Sequence, residues 1–369
     1  MEKKIDLLFL VSFAFIVLTS FLTQEIYAAT TKYGTLIIFL TLCLMAFFWI
    51  RKSMPTAAGF LKNKADSIEL LILIAADLVA AANLFILKSN KGAWLIVADL
   101  TLLLFLSSRI KLQDRTLRIA MLIGSCLMLP WYSFVRWEYN FNMAGLVFMT
   151  LMICGEIYLD YMRLKLDLPY IKYVQIMLFL GTLLLTICYH ARGAIVCVLI
   201  YGLLALNAIK ITESKLLFWI LNMTATLGSI LFTVLYTLLG SQGFNLRILY
   251  KDVISGREGI WSELWGAFLE SPLTGIGSSY KIRSFFIFEV HNGLFDILAV
   301  HGILVFILCC ILLIRRLSLI KNLKLRFYPD KRLAFAGIYT YLFASFYENC
   351  FIVPPYSMVF LALLLICSD

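Results

Sequence analysis

Apolar runs near twenty residues long recur from one end of this chain to the other, each long enough to cross a hydrocarbon core. About twelve are predicted as helical spans, at roughly 5–23, 34–50, 68–87, 92–108, 116–131, 142–160, 171–189, 194–209, 216–239, 291–314, 333–347 and 356–367. The last two are short. Most polar connections between runs are also short, as a tight helical bundle requires. No internal repeat is visible, and no matching pair of Gly- or Pro-interrupted spans of the kind transporters carry. The fold class this predicts is all-α: one integral membrane domain over 1–369, a polytopic bundle of about twelve spans.

Two connections break the pattern. The segment 132–141, Tyr-Ser-Phe-Val-Arg-Trp-Glu-Tyr-Asn-Phe, is aromatic enough to sit at headgroup level. The second, 240–290, is about fifty residues, far beyond an ordinary bundle connection and too aromatic to be a disordered linker. Within it Ser255 and Glu258 have capping-box spacing, which predicts a helix start. Ile260, Trp261, Leu264, Trp265 and Phe268 follow at helical intervals, and Pro272 stands just past the expected end. The pattern predicts a short amphipathic helix lying flat in the outer interface, its tryptophan side among acyl chains.

Composition narrows the class. Of 369 residues 62% are hydrophobic, and the mean hydropathy of +0.92 excludes a soluble globular domain. The opening Met-Glu-Lys-Lys before an apolar run resembles a secretory signal, but that run is too long for one and is read as a retained first helix. With the N-terminus inside, about two thirds of the 32 Lys and Arg fall in cytoplasmic connections, among them Arg51, Arg109, Arg118, Arg163, Arg315 and Arg316. Positive-inside bias and an even span count agree on two cytoplasmic termini. The net charge of +10 is then topology, and no nucleic-acid partner is needed to explain it. Nine cysteines show no Cys-x-x-Cys spacing, and with three histidines they build no metal site, so no metal or other cofactor is expected.

Polar chemistry concentrates between Ser255 and Gly302. His291 and Asn292 are expected to open the tenth span, where unpaired backbone N–H groups favour an anion and disfavour imidazolium. A neutral imidazole there would serve as a general base, or simply anchor a helix end. Arg257, in the first turn of the loop helix, opposes the helix dipole, which points to an anionic partner or to pairing with Glu258 or lipid phosphate. Arg192 lies in Tyr189-His-Ala-Arg-Gly-Ala194 on the outer side, where basic residues are disfavoured; Gly193 and Ala194 allow a close neighbour. Snorkelling to headgroups is the alternative. Arg247, Lys251, Lys281 and Arg283 add charge that could steer a phosphate-bearing lipid. Gly275 and Gly277 after Pro272 read as a tight turn with exposed amides. His301 reads as a packing residue. Asp77, Asp99 and Asp296 sit in spans, where acids mark ion paths or bond to polar neighbours such as Asn83; the latter is preferred for Asp77 and Asp99.

Read in order over 186–314, these pieces resemble the O-antigen ligase and O-antigen polymerase superfamily of bacterial envelope proteins. The resemblance rests on Ala191-Arg-Gly-Ala, Ser255-Gly-Arg with a tryptophan soon after, Pro272-Leu-x-Gly-x-Gly, and His291-Asn-x9-Gly302. Val305, three residues past the last glycine, departs from the ligase branch. The resemblance implies an inverting, metal-independent glycosyltransferase that works at the outer membrane face on an undecaprenyl-diphosphate-linked oligosaccharide donor and a glycan acceptor. Arg192 and Arg257 would hold the diphosphate and His291 would activate the acceptor hydroxyl. Asn292, Gly275, Gly277 and Arg247 would line the substrate site, Asn292 also orienting His291 or the helix start. Other polysaccharide-assembly proteins would be possible partners. The rival expectation is a transporter or flippase of the same lipid-linked oligosaccharide, relying on the three intramembrane acids.

Overall fold

The computed structural model describes residues 2–20, 24–53, 64–87, 89, 91–126, 141–243, 247–248, 251–252, 256–283, 290–321, 323 and 325–368. Of the aromatic connection expected at 132–141, only Phe141 lies among them, as the first residue of a helix.

Hydrocarbon offers backbone N–H and C=O groups no partner, so apolar segments close their hydrogen bonds internally and become helices. The helices in chain order are α1 (Glu2–Ser20), α2 (Gln24–Ser53), α3 (Lys64–Ile86), α4 (Lys91–Ser107), α5 (Asp114–Cys126), α6 (Phe141–Leu166), α7 (Ile171–Cys188), α8 (Arg192–Glu213) and α9 (Lys215–Ser241). A two-residue hairpin follows, β1 (Arg247–Ile248) against β2 (Lys251–Asp252), with Arg247 opposite Asp252. Then come α10 (Arg257–Glu270), α11 (Gly293–Ile320), α12 (Pro329–Ala344), a 3-10 turn at Cys350–Ile352, and α13 (Tyr356–Ile366). Among the described residues, 7 helices are long and apolar enough to cross a membrane, and the chain folds as a helical membrane bundle.

Faces decide what each helix meets. On α3, Leu71 (65% exposed), Leu78 (64%) and Phe85 (85%) recur every seven residues as an outward apolar stripe. A stripe of that kind suits acyl chains rather than water. At the opposite extreme every residue of α13 is buried, and so is most of α12. The core therefore sits around these two C-terminal helices, packed by α6, α8 and α5.

One end of the bundle is charged. Arg109 at the close of α4 bonds Asp66 (2.8 Å) and Glu69 (2.5 Å) on α3, and Arg315 of α11 also pairs with Glu69. Arg316 reaches Ser107 (2.9 Å) and the carbonyl of Leu364 (2.6 Å). Both termini belong to this end. Asp6 of α1 accepts the Gln113 backbone N–H at 2.9 Å, and the Lys331 amine meets the Ser368 carbonyl at 3.5 Å. Arg118 beside Asp330 (3.4 Å) joins the two.

Helix α11 is interrupted. Gly302 has φ 85 and ψ 170, outside the helical range, and splits α11 in two. The stretch after α10 docks into the gap: Ile276 N–H donates to Ala299 O (2.9 Å), Gly277 N–H to Val300 O (3.1 Å), and Ile303 N–H to Pro272 O (2.9 Å). Asn83 of α3 closes the joint by donating its amide to Thr274 O and His301 O, both at 3.0 Å. The polar groups freed by the break are thus satisfied by backbone and one amide, as a membrane interior demands. His301 is buried beside the joint, as its packing role anticipated.

Two expectations are corrected here. The loop helix starts at Arg257 with Gly256 at its N-cap (φ 89) and no side-chain cap, while Ser255 lies outside the described residues. Its tryptophan face packs on protein rather than lipid. Trp261 is fully buried, its indole N–H on the Val290 carbonyl at 2.7 Å and its ring against Phe232 and Tyr236 of α9. Trp265 lies on Phe295 of α11, ring centroids 4.8 Å apart. An interfacial helix and one docked on a bundle share the same apolar spacing, so periodicity alone does not separate them.

Candidate functional site

The far end of the bundle from the termini is built around the five residues that follow α12, Ser345 to Asn349. The starts of three helices, α8, α10 and α11, converge on them. The Gly293 N–H that begins α11 donates to both the carbonyl and the hydroxyl of Ser345, each at 3.1 Å. A Cβ on Gly293 would run into that hydroxyl, so a larger residue there would have to displace the Ser345 side chain. Gly193, in the first turn of α8, lies under the Tyr347 ring, where an added Cβ would sit 3.4 Å away. The close neighbour anticipated at Gly193 is this tyrosine.

Glu348 is the centre. One carboxylate oxygen accepts from the Arg257 guanidinium at 2.5 Å, and the other meets His291 Nδ1 at 2.9 Å. An arginine from α10 and a histidine just before α11 are therefore held by one acid from the segment after α12. A carboxylate can only accept, so Nδ1 carries the proton of this contact and Nε2 of a neutral ring is left with its lone pair. Burial pushes the Glu348 carboxyl up, but the Arg257 charge and the His291 hydrogen bond outweigh it and hold the group below the ordinary carboxylate value. Side-chain exposure of 15% for Arg257 and 18% for His291 leaves both in reach of a ligand.

His291 itself has φ 53, a left-handed backbone that histidine adopts seldom. Asn292 holds it there. The Asn292 oxygen caps α11 by accepting Phe295 N–H (2.9 Å) and also accepts the Ser229 hydroxyl (2.7 Å). Its nitrogen faces the Ser229 and Phe346 carbonyls, both at 3.4 Å. Asn292 is fully buried and caps the helix start, one of the roles expected of it.

The remaining candidates separate. Arg192 opens α8, one residue before the glycine beneath Tyr347, and so flanks the Glu348 segment. Gly275 and Gly277 do not present amides to a ligand. Gly275 N–H is used by Ser271 O (2.9 Å) and Gly277 N–H by Val300 O, while a Cβ on Gly275 would lie 2.5 Å from Val300 O. These glycines make the joint at Gly302. Arg247 is exposed on β1, in the hairpin before α10. Asp296 accepts from the Asn349 amide at 3.3 Å. Asp77 is bonded by Thr101, as preferred, but Asp99 departs from that expectation, its buried Oδ1 having no hydrogen-bond partner among the described residues, and Asn83 serves the joint instead.

A cavity of about 490 Å³ opens at the opposite end, lined by Lys111, Arg118, Tyr328, Asp330 and Lys331 among others, and shares no residue with the Glu348 cluster. Among the described residues no group of His, Cys, Asp and Glu gathers as a metal site. Glu348 was missed by sequence reasoning. The one signal it offers is an acid directly after an apolar run, at the end where basic residues are sparse.

What fold and site define is a helical membrane protein with an Arg–Glu–His cluster at the end remote from its termini. No protein-family model matches the chain, and no curated protein is similar to it.

Proposed function

We propose that this protein is a membrane glycosyltransferase that transfers or polymerises undecaprenyl-diphosphate-linked oligosaccharide at the outer face of the bacterial cytoplasmic membrane. The observation that carries the reading is the bridging of Arg257 and His291 by Glu348. With the basic end and both termini inside by the positive-inside rule, the cluster faces out, and twelve crossings are consistent with termini on one side.

In this reading Glu348 fixes the ring of His291, and Nε2 takes the proton of an acceptor hydroxyl as its oxygen attacks the anomeric carbon. The glycosidic bond to the diphosphate breaks with inversion, and the leaving group gains negative charge. Arg192 and Arg257 meet that charge where water is scarce, a contribution on the order of 3–4 kcal/mol for one well-placed donor. Arg257 can serve both tasks, because a guanidinium carries more N–H donors than one carboxylate oxygen uses. General-base help supplies about 10²–10⁴-fold in rate. The acceptor is another glycan unit or a lipid core, which is the choice between polymerase and ligase.

His291→Ala is expected to abolish chain extension while membrane insertion stays normal, measured by glycan length in a deletion strain. Arg192→Lys and Arg257→Lys should each lose most activity, because a point charge cannot replace planar bidentate phosphate contact. Full activity in His291→Ala would remove the general base and the proposal with it.

One observation favours a second reading, a flippase for the same lipid. α11 is discontinuous at Gly302, and broken helices are a hallmark of transporter cores. Sidedness of lipid-linked single units in the deletion strain separates the two: outward for a lost polymerase, inward for a lost flippase.

A further inference from the structure

The cavity of about 490 Å³ at the end that carries both termini lies between α5, α6, α12 and α13, and its walls are of two kinds. The inner wall is hydrocarbon: Leu117 and Met121 of α5, Ile157 of α6, and Leu365 and Ile366 of α13, all buried. The outer wall is charged, with Lys111 ahead of α5, Arg118 on α5 and Lys331 on α12. Its volume falls within the range of small-ligand sites, about 300–1,000 Å³.

Three cations meet two acids in this rim. Asp330 lies 3.4 Å from Arg118 and offsets that one charge, while Asp114 is 3.9 Å from it and 88% exposed, where water screens it. Lys111 is exposed, and the Lys331 amine stands 3.5 Å from the Ser368 carbonyl and 5.1 Å from the Tyr328 ring centre. The rim is net cationic over an apolar floor. A wholly polar anion would find no partners on that floor, and a wholly apolar solute would leave the rim unused. The ligand that suits both carries a phosphate at one end and hydrocarbon at the other. Leu164 (57% exposed) and Phe327 (71%) line the outside of the cavity, so its mouth borders the apolar surface of the bundle. Tyr328, also exposed there, suits headgroup level.

We infer that this cavity binds an anionic phospholipid of the leaflet at that end, with its phosphate on Lys111, Arg118 and Lys331 and the upper part of one acyl chain along Leu117, Met121 and Ile157. Basic pockets between membrane helices recognise anionic headgroups in this way. The Arg118 guanidinium is steadied by the Tyr161 ring, 3.8 Å to its centre. With five N–H donors it keeps Asp330 and still reaches a phosphate oxygen. The cavity shares no residue with the Glu348 cluster. The inference therefore depends neither on the glycosyl-transfer reading nor on which side of the membrane this end faces.

Photolabelling of the purified full chain in detergent provides the test, using phosphatidylglycerol with a diazirine near the top of one acyl chain. Adducts, assigned by peptide mass spectrometry, are expected on the peptides that contain Leu117, Ile157 and Leu365. Excess unlabelled phosphatidylglycerol should suppress them, and phosphatidylcholine should not. Lys111→Gln combined with Lys331→Gln should cut these adducts about tenfold or more, since one basic residue beside an anionic headgroup is worth roughly fivefold. Lys172→Gln combined with Lys210→Gln removes the same charge from exposed positions at the same end and should leave them unchanged. Adducts only on other peptides, equal suppression by phosphatidylcholine, or an equal loss in both double variants overturns the site. Equal suppression by water-soluble glycerol phosphate overturns it too, because the ligand would then be a soluble anion. If the first double variant fails to fold, the competition on the wild type decides alone.

Discussion

Glu348 shows what one residue can do when two others depend on it. It neutralises Arg257 and sets the tautomer of His291, so an amide in its place would break both effects without changing size. Glu348→Gln is expected to lower glycan extension about 10²–10⁴-fold, the range that general-base help contributes, with protein level nearly unchanged. The pH profile provides a second check. Because the folded carboxyl lies below its ordinary value of 4.5, its stabilising contribution is complete above that value and is lost as pH falls through the folded one. Denaturation midpoints in detergent should therefore drop at acid pH in the wild type and drop less in Glu348→Gln. At this scale His291 and Arg257 were legible, since each is a costly polar group at a helix start. Glu348 was not, because its partners are 57 and 91 residues away and nothing local marks it.

Among the elements, the joint between the post-α10 stretch and α11 is the most demanding. Gly302 needs a positive φ and also lies hard against the Leu273 carbonyl, with Gly275 N only 2.7 Å from where a Cβ would stand. Gly302→Ala should cost roughly 1–2 kcal/mol for the left-handed backbone before any clash is counted. It should also loosen the docking of Ile276 and Gly277, read as faster proteolysis of the 271–283 stretch in detergent-solubilised protein. Unchanged stability and cleavage would mean that α11 straightens without loss. The Pro272-Leu-x-Gly-x-Gly and x9-Gly302 pieces were visible as separate motifs. That the first is the plug for a gap made by the second required coordinates, because backbone pairing between them leaves no side-chain pattern. The same holds for α10: its apolar stripe was read correctly and its partner was not.

For the whole molecule, the arrangement gives the bundle two unlike ends. Both termini and the Arg109, Arg118, Arg315 and Arg316 cluster share one end, and the Glu348 segment lies at the other. Single cysteines introduced at exposed Lys281 and exposed Arg326 in a cysteine-free background should report opposite sides. A membrane-impermeant maleimide should label Lys281→Cys on intact cells and Arg326→Cys only after permeabilisation. The reverse pattern would turn the cluster toward the cytosol and end the proposed reading.

Hydrophobic block length was enough, unaided, to define a helical membrane protein, and the placement of lysine and arginine set an expected orientation, because transfer of apolar side chains and of charges into hydrocarbon is governed by local composition. Which side chains meet was decided by the tertiary structure. The acid joining Arg257 to His291 and the amide of Asn83 across the broken helix link helices distant in sequence, and short-range polar contacts of that kind are fixed only when the bundle closes.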